Sequence, residues 1–486
     1  MSLSWSFEKE LSKIFDKKEL EEFKKYCFKP LKKSIRLSTN KIDWDIFKEI
    51  TENRWWKLQA PRFISNRTNK DIFYIDRQDT SIALGNTFWH KSGYFYIQEI
   101  AAWLPARFLD VNEWDMVLDM AASPWWKSTQ ISNYLLEHLN KKAWFVLSND
   151  VDNSRIGSLA HNINRMGAYN TWIANFNGFM YWSNLWEQFD HVLLDAPCSG
   201  EWTAFKSDDS LSYRNKESIN NISWTQRQLL ISWFKALKPW GSLVYSTCTL
   251  NPYENEKNIQ NILDKFGWAI ELEDVELIDK SPWISKYWNE EMLKPKNKNK
   301  VARFWPHIQK TGWFFIAKLK KKESLNYSDQ WENSLAPNNP FALTYWKNFQ
   351  NQVRNYLKKS FSIDKLKEDF LFIKIKDKVF VTSKGFLEFK DQVYFKKIWV
   401  PVFKYDRNGF RPTHFFGVVL GEYVNSNYVN LTYDDAQKYS EYKNISLSDI
   451  DGQWDGDRQF VVVKYQNYPI SVWKIIDNKL KNKFVR

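Results

Sequence analysis

Glycine is scarce in this sequence. At average usage of roughly 7%, a chain of this length would hold about 34 glycines; it has 486 residues and holds 15. The shortage excludes collagen-like and glycine-rich linker architectures. Cysteine is scarcer still. Cys27, Cys198 and Cys248 are the only three, too few for a disulfide scaffold and without the paired Cys/His spacing of a zinc site, so each is a core residue or a reactive thiol and no metal is expected. No stretch approaches the roughly 18 consecutive apolar residues of a membrane span. The opening MSLSWSFEKELSKIF lacks a basic segment followed by an apolar one, so a cytoplasmic location with no membrane partner is expected. No internal repeat or long low-complexity tract is found.

What is abundant is tryptophan, with 27 residues. Against a usage of roughly 1% this is a surplus of about 22, close to the glycine deficit of about 19. Trp125 and Trp126 follow Ala-Ser-Pro at a strand-to-helix turn, Trp202 follows Ser-Gly-Glu, and Trp240 follows Lys-Pro. Such turns favour a residue without Cβ. The pattern is that of a gene whose UGA codons specify glycine, read with a table in which UGA is tryptophan; Trp305 is the candidate for a genuine tryptophan. The remaining composition is ordinary: 43% hydrophobic and 26% charged residues suit a globular chain with real cores. Seventy basic residues against 57 acidic ones leave a net charge of +13, which favours a polyanionic partner.

Length and pattern suggest about three domains. Residues 1–110 read as a small α+β lead-in domain with a strand in KSIRLSTNKI. From 111 to 322, apolar runs at Met116–Met120, Trp144–Leu147, His191–Leu194, Ser242–Ser246 and Phe314–Leu319 alternate with helix-length segments. That alternation predicts an α/β, doubly wound sheet, with the run from Phe314 as its antiparallel edge. A polar segment at 323–340 reads as a linker, and 341–486 as a separate unit. In it a helix over 341–360 precedes β-type runs in FLFIKI, KVFVTS, WVPVFKY, THFFGVVL and QFVVVKY, predicting a mainly β, barrel-like region.

The chemistry concentrates at strand ends. The run from Val117 to Lys127, VLDMAASPWWK, is a strand, a tight turn and a helix start, where a polar cofactor meets free backbone N–H groups. The next strand ends at Asp150, placing a carboxylate where the ribose hydroxyls of a nucleoside cofactor would lie. FDHVLLDAPCSG delivers Asp195 and Cys198, and LKPWGSLVYSTCT delivers Cys248, to the carboxyl edge of the same sheet, where ligands bind in open α/β folds. A lone strand cysteine is usually an inert apolar residue; two converging on one edge make a site.

These segments, with HKSGYFYIQEIAAWLPA, LLDAPCSGEWT, LKPWGSLVYSTCTLNPYENE and RFWPHIQKTGWFFIAKL, resemble the Nol/Nop/Sun family of S-adenosyl-L-methionine (SAM)-dependent RNA cytosine-C5 methyltransferases. The resemblance spans about residues 33 to 320 and implies a Rossmann-like methyltransferase core. Where the family pattern has glycine in P-G-G-K, S-G-E-G-T and K-P-G-G, this chain has Trp at 125, 126, 202 and 240. The C-terminal segments RNGFRPTHFFGVVLG and QFVVVKYQNYPISVWKIIDNKLKNKF are similar to the bacterial branch acting on small-subunit ribosomal RNA, which ends in a PUA-like RNA-binding domain.

The resemblance implies Cys248 as the nucleophile, Cys198 in breakdown of the covalent adduct, and Asp195 on the cytosine ring edge and bordering the cofactor. The cofactor site it implies comprises Ala121, Ala122, Ser123, Pro124, Trp125, Trp126, Lys127, Asp150, Asn177 and Asp195; the family usually has Asp where this chain has Asn177. RNA contact is expected from the basic runs Lys294, Lys296, Lys298, Lys300, Arg303 and Lys474, Lys479, Lys481, Lys483, Arg486. Two other readings stand beside small-subunit rRNA methylation. One is transfer RNA as substrate, and the other is an RNA-binding pseudoenzyme, if indoles truly fill the cofactor turn.

Overall fold

The computed structural model describes the chain except residues 1–4, 28, 64–70, 113, 123–125, 138–144, 180–184, 201–215, 276–279, 282, 298, 325–346, 367–369, 390–394, 399, 449, 456–458 and 482–486. The expected linker and the turn residues Ser123, Pro124 and Trp125 therefore lie largely or wholly outside the described residues, as do Trp202, Lys298, Lys483 and Arg486. Among the described residues no helix is long and apolar enough to cross a membrane.

In the N-terminal region, β1 (Ser34–Leu37) pairs antiparallel with Ile72–Arg77 and Phe95–Ile97 in a four-stranded sheet. All four β1 residues are buried, because the strand is sandwiched rather than solvated on one face. The central sheet has nine strands. Its short, apolar members β2 (Val117–Asp119), β3 (Val146–Asn149), β4 (Thr171–Ala174) and β5 (Phe189–Asp195) run parallel to one another and to β6 (Leu237–Thr247). Their near-continuous apolar character is what burial on both faces requires. The order is β7-β8-β6-β5-β2-β3-β4-β9, with β7 at Ile270–Glu273, β8 at Phe314–Lys321 and β9 at Lys397–Ile398, and the ninth strand, Ala302–Phe304, pairs with β8 off this path. Helices α1 (Trp126–Glu137), α2 (Ile156–Met166), α3 (Lys216–Ala236) and α4 (Glu256–Phe266) supply the crossovers. The expected α/β doubly wound core is thus present. The run from Phe314 is antiparallel as expected, yet it is not the edge: β7 pairs outside it.

The C-terminal region is rich in β structure, with four- and six-stranded sheets. Two expectations change there. THFFGVVL forms a helix, His414–Leu420, not a strand; a short apolar run carries no decisive period, and helix packing decides it. Gly417 sits so close to the neighbouring strand that a Cβ would lie 2.3 Å from the Ser471 carbonyl carbon. Nor does this region stand apart. Ile35, Phe47, Trp89 and Phe95 share one apolar core with Val429, Tyr439, Val461 and Ile470, and β9 pairs with β4 on the central sheet.

Four tryptophans, Trp55, Trp114, Trp240 and Trp288, have φ between 48° and 80°. This left-handed region costs a Cβ-bearing residue about 1–2 kcal/mol. All four are also among the exposed large hydrophobic side chains. By contrast Trp305 is buried and packs edge-on against Phe15 at 4.8 Å between ring centroids.

Candidate active site

The carboxyl ends of β2, β3, β5 and β6 open onto one cavity of about 670 Å³, a size suited to a nucleoside-type ligand. The chain order reverses between β2 and β5, which makes this the switch point of the sheet. Ala121, Trp126, Lys127, Asp150, Asp195, Cys198 and Cys248 line the cavity. Ala122 is buried behind the turn, its N–H donating to the Asn149 carbonyl at 2.8 Å. Asn177 is exposed and accepts from the Phe179 N–H at 3.1 Å, while the neighbouring Gly178 lines the cavity instead.

The two thiols meet. Cys198 follows β5, Cys248 follows β6, and their Sγ atoms are 3.0 Å apart, the two residues being free cysteines. The hydrogen bond with Cys248 and burial push the Cys198 thiol well above its ordinary range, with the Cys248 and Glu254 charges adding to the effect. Cys198 therefore stays protonated at neutral pH and can donate S–H to its neighbour. Asp195, opposite Ser246 in the β5–β6 register, accepts from the Ser246 hydroxyl at 2.8 Å and forms an ion pair with Lys127. Lys127 is buried, so its ammonium holds the Asp195 carboxylate in a fixed pose at the cavity wall.

Three contributors were not legible beforehand. Arg36 on β1 is fully buried and reaches across to α1, donating to the Trp126 carbonyl at 2.7 Å and the Thr129 hydroxyl at 2.9 Å. The N-terminal region thereby fixes the first turn of the helix that borders the cavity. Glu99 and Arg155 also line it; the Glu99 carboxylate accepts from the backbone N–H groups of Ala102 and Gly312. The one available signal was a charged residue inside an apolar segment in KSIRLSTNK and IQEIAAWLP. Conversely, Arg303, expected on an RNA-facing run, is 1% exposed and paired with Glu256 at 2.5 Å. A buried guanidinium this well paired serves packing, not phosphate binding.

Beneath the turn, Asp119 ends β2 and accepts from the Ser128 hydroxyl at 2.5 Å. Burial raises its carboxyl to about 7, against the opposing pull of Ser128 and Lys127, and the Asp195 and Asp150 charges add to the rise. Between about pH 4 and pH 7 the folded state thus retains a proton that the unfolded chain has released, so stability falls as pH rises through that window. The slope from this one group is about 1.4 kcal/mol per pH unit at most. Asp119→Asn is expected to flatten the pH dependence of urea unfolding between pH 4 and 7, and an unchanged slope would refute the assignment.

The cavity fits a SAM-sized cofactor on its own features: a strand-end carboxylate at Asp150, a β2–α1 turn, and largely apolar walls. Comparison with known proteins gives the same direction. Residues 106–320 match the family model of the 16S rRNA methyltransferase RsmB/F, and residues 3–100 that of the N-terminal domain of 16S rRNA methyltransferase RsmF. The chain is 31% identical over 465 residues to ribosomal RNA small subunit methyltransferase F of Vibrio parahaemolyticus, covering 95% of this chain and 92% of the relative. It is likewise 31% identical to the protein of that name from Shewanella oneidensis, over 96% of this chain and 93% of the relative. Among solved structures, a methyltransferase homologue from Pyrococcus horikoshii superposes with a TM-score of 0.53 at 27% identity, over 66% of this chain and all of that one.

Proposed function

The chain belongs to the 16S rRNA methyltransferase RsmB/F family and is a SAM-dependent RNA methyltransferase, and from that premise we propose that it methylates carbon 5 of a cytosine in small-subunit ribosomal RNA through a covalent Cys248 adduct. The observation that supports this reading is the pair of thiols, one held protonated, beside a lysine-anchored carboxylate at the cofactor cavity.

Carbon 5 of cytosine is a poor nucleophile until a thiolate adds to carbon 6. Covalent catalysis therefore needs a cysteine with access to the base. The Cys248 thiolate adds to carbon 6, while Asp195 at the ring edge accepts from or shares a proton with the base, stabilising the enamine form. Bound SAM supplies an electrophilic methyl group to carbon 5. A water molecule takes the carbon 5 proton as the Cys248–carbon 6 bond breaks, its electron pair returning to sulfur, and the aromatic ring is restored. Cys198, whose sulfur lies 3.0 Å from that of Cys248, would donate its S–H to the departing thiolate in that step. Lys127 keeps Asp195 in its pose, and Asp150, Trp126 and Ala121 line the cavity and would hold the cofactor there. The target base must leave its stack to reach the thiols, so an accessible loop or an open assembly state is the form acted on.

Methyl transfer into separate small-subunit rRNA and transfer RNA pools, followed by nucleoside mass spectrometry, tests substrate and position together: 5-methylcytidine in the ribosomal pool is expected, and label confined to transfer RNA or to another nucleoside would overturn the reading. Cys198→Ala is expected to accumulate a protein–RNA adduct stable to denaturing electrophoresis, with turnover reduced about 10²-fold or more. Clean turnover without adduct would remove Cys198 from the release step.

A further inference from the structure

The segment that follows Cys248, T-L-N-P-Y-E-N-E, contains a carboxylate that the mechanism above does not use. Glu254 is 0% exposed, and its two oxygens face both cysteine loops at once. One oxygen accepts from the Ser199 N–H at 2.9 Å and from the Gln226 side-chain amide at 3.0 Å; the other accepts from the Thr249 hydroxyl at 3.3 Å. Ser199 and Thr249 are the residues directly after Cys198 and Cys248, and their hydroxyls bond each other at 3.0 Å. Gln226, on α3, also donates to the carbonyl of Pro197, the residue directly before Cys198, at 2.8 Å. Its own carbonyl oxygen is held by Asn258 of α4 at 2.8 Å.

We propose that Glu254 is a positioning residue: its buried carboxylate ties the Pro197–Ser199 backbone to the Thr249 side chain and so sets the 3.0 Å contact between the Cys198 and Cys248 sulfurs. The loops end two different strands, and each sulfur is carried one residue away from a group that Glu254 or its partner Gln226 holds. An unsatisfied polar group among Gln226, Thr249, Glu254 and Asn258 would be costly, since these four side chains are buried. The same carboxylate adds negative charge beside Cys198, which helps to keep that thiol neutral. The proposal rests on the reading of Cys248 as nucleophile for its catalytic consequence, but its geometric content does not.

Two readouts on the full chain test it. The first is covalent capture of a small-subunit rRNA transcript containing 5-fluorocytidine, whose fluorine blocks release of Cys248. The second is the rate at which diamide closes a Cys198–Cys248 disulfide, two electrons and two protons passing from the thiols to the diazene. Glu254→Ala is expected to slow capture about 10²-fold and disulfide closure at least about tenfold, with the Kd for SAM unchanged. Glu254→Gln keeps an acceptor for Ser199 and Gln226 and can donate to Thr249, and is expected to restore both rates to within a few-fold. Wild-type rates in Glu254→Ala, or equal loss in Glu254→Gln, would overturn the proposal. Should Glu254→Ala fail to fold, Thr249→Val carries the test, with slowed closure expected and a wild-type rate overturning it. Absence of any captured RNA in the unsubstituted protein would overturn the nucleophile assignment alone, and the closure rate would still decide the role of Glu254.

Discussion

Cys248→Ala is expected to lose methyl transfer by at least about 10⁴-fold, since removing a covalent nucleophile leaves only binding and orientation. The loss should appear in kcat, with the Kd for SAM within about twofold of the unsubstituted protein, because Cys248 borders the cavity without belonging to the turn or to the strand-end carboxylate of the cofactor side. Cys198 cannot stand in. Burial and the Glu254 charge still hold its thiol up once Cys248 is removed, and its place at the end of a different strand fixes its own approach to the base. Single-turnover transfer of labelled methyl groups into small-subunit rRNA measures the effect, and retention of more than a few per cent of the rate would refute the nucleophile assignment.

Replacing Trp55, Trp114, Trp240 and Trp288 by glycine is expected to stabilise the fold, an unusual sign for four large-to-small changes. Each sits at positive φ with its indole substantially exposed, so little burial is lost and the left-handed penalty is relieved. Glycine's extra freedom in the unfolded chain offsets part of the gain, leaving about 1 kcal/mol per position and, by addition, about 4 kcal/mol for the four together. Trp224 is the control: it is equally exposed but lies inside α3, where glycine costs about 1 kcal/mol. Urea midpoints of the quadruple variant and of Trp224→Gly should therefore move in opposite directions, and movement in the same direction would refute the backbone argument. In protein isolated from its native host, peptide masses are expected to report glycine at 55, 114, 240 and 288 and tryptophan at 305. Tryptophan at the first four would sink the recoding idea.

Much of this was legible in the sequence because parallel strands buried on both faces write themselves as apolar runs, and because reactive groups at their carboxyl ends stand out against them. Asp195, Cys198 and Cys248 were found that way, and the cavity brings them together with Lys127 and Asp150. Arg36 and Glu99 escaped because their roles depend on contacts across 90 or more residues, which no local pattern encodes. Arg303 misled for the reverse reason: among neighbouring lysines it reads as surface charge, and only the partner Glu256 turns it inward. The helix at His414–Leu420 was missed since Val, Phe and Thr favour strands in isolation, while the close approach of Gly417 to Ser471 favours a packed helix. Thr171–Ala174 and Ile270–Glu273, four residues each, were too short to separate from their surroundings.

The core shared by the two ends of the chain sets a schedule for synthesis. Ile35, Phe47, Trp89 and Phe95 leave the ribosome early, but the side chains that cover them, from Val429 to Ile470, follow about 330 residues later. At roughly 5–20 residues per second, that is an interval of about 17–66 s. During it the methyltransferase sheet can form around β2 to β8, while the amino-terminal sheet keeps an apolar face without its cover. Arg36, which steadies the first turn of α1 from that sheet, is anchored in a layer whose packing is completed only by residues 429–470. The sheet that carries the cofactor cavity can thus form before the layer that steadies the first turn of α1 gains its cover, so the cavity wall at Trp126 and Lys127 is fully braced only once residues 429–470 have been made.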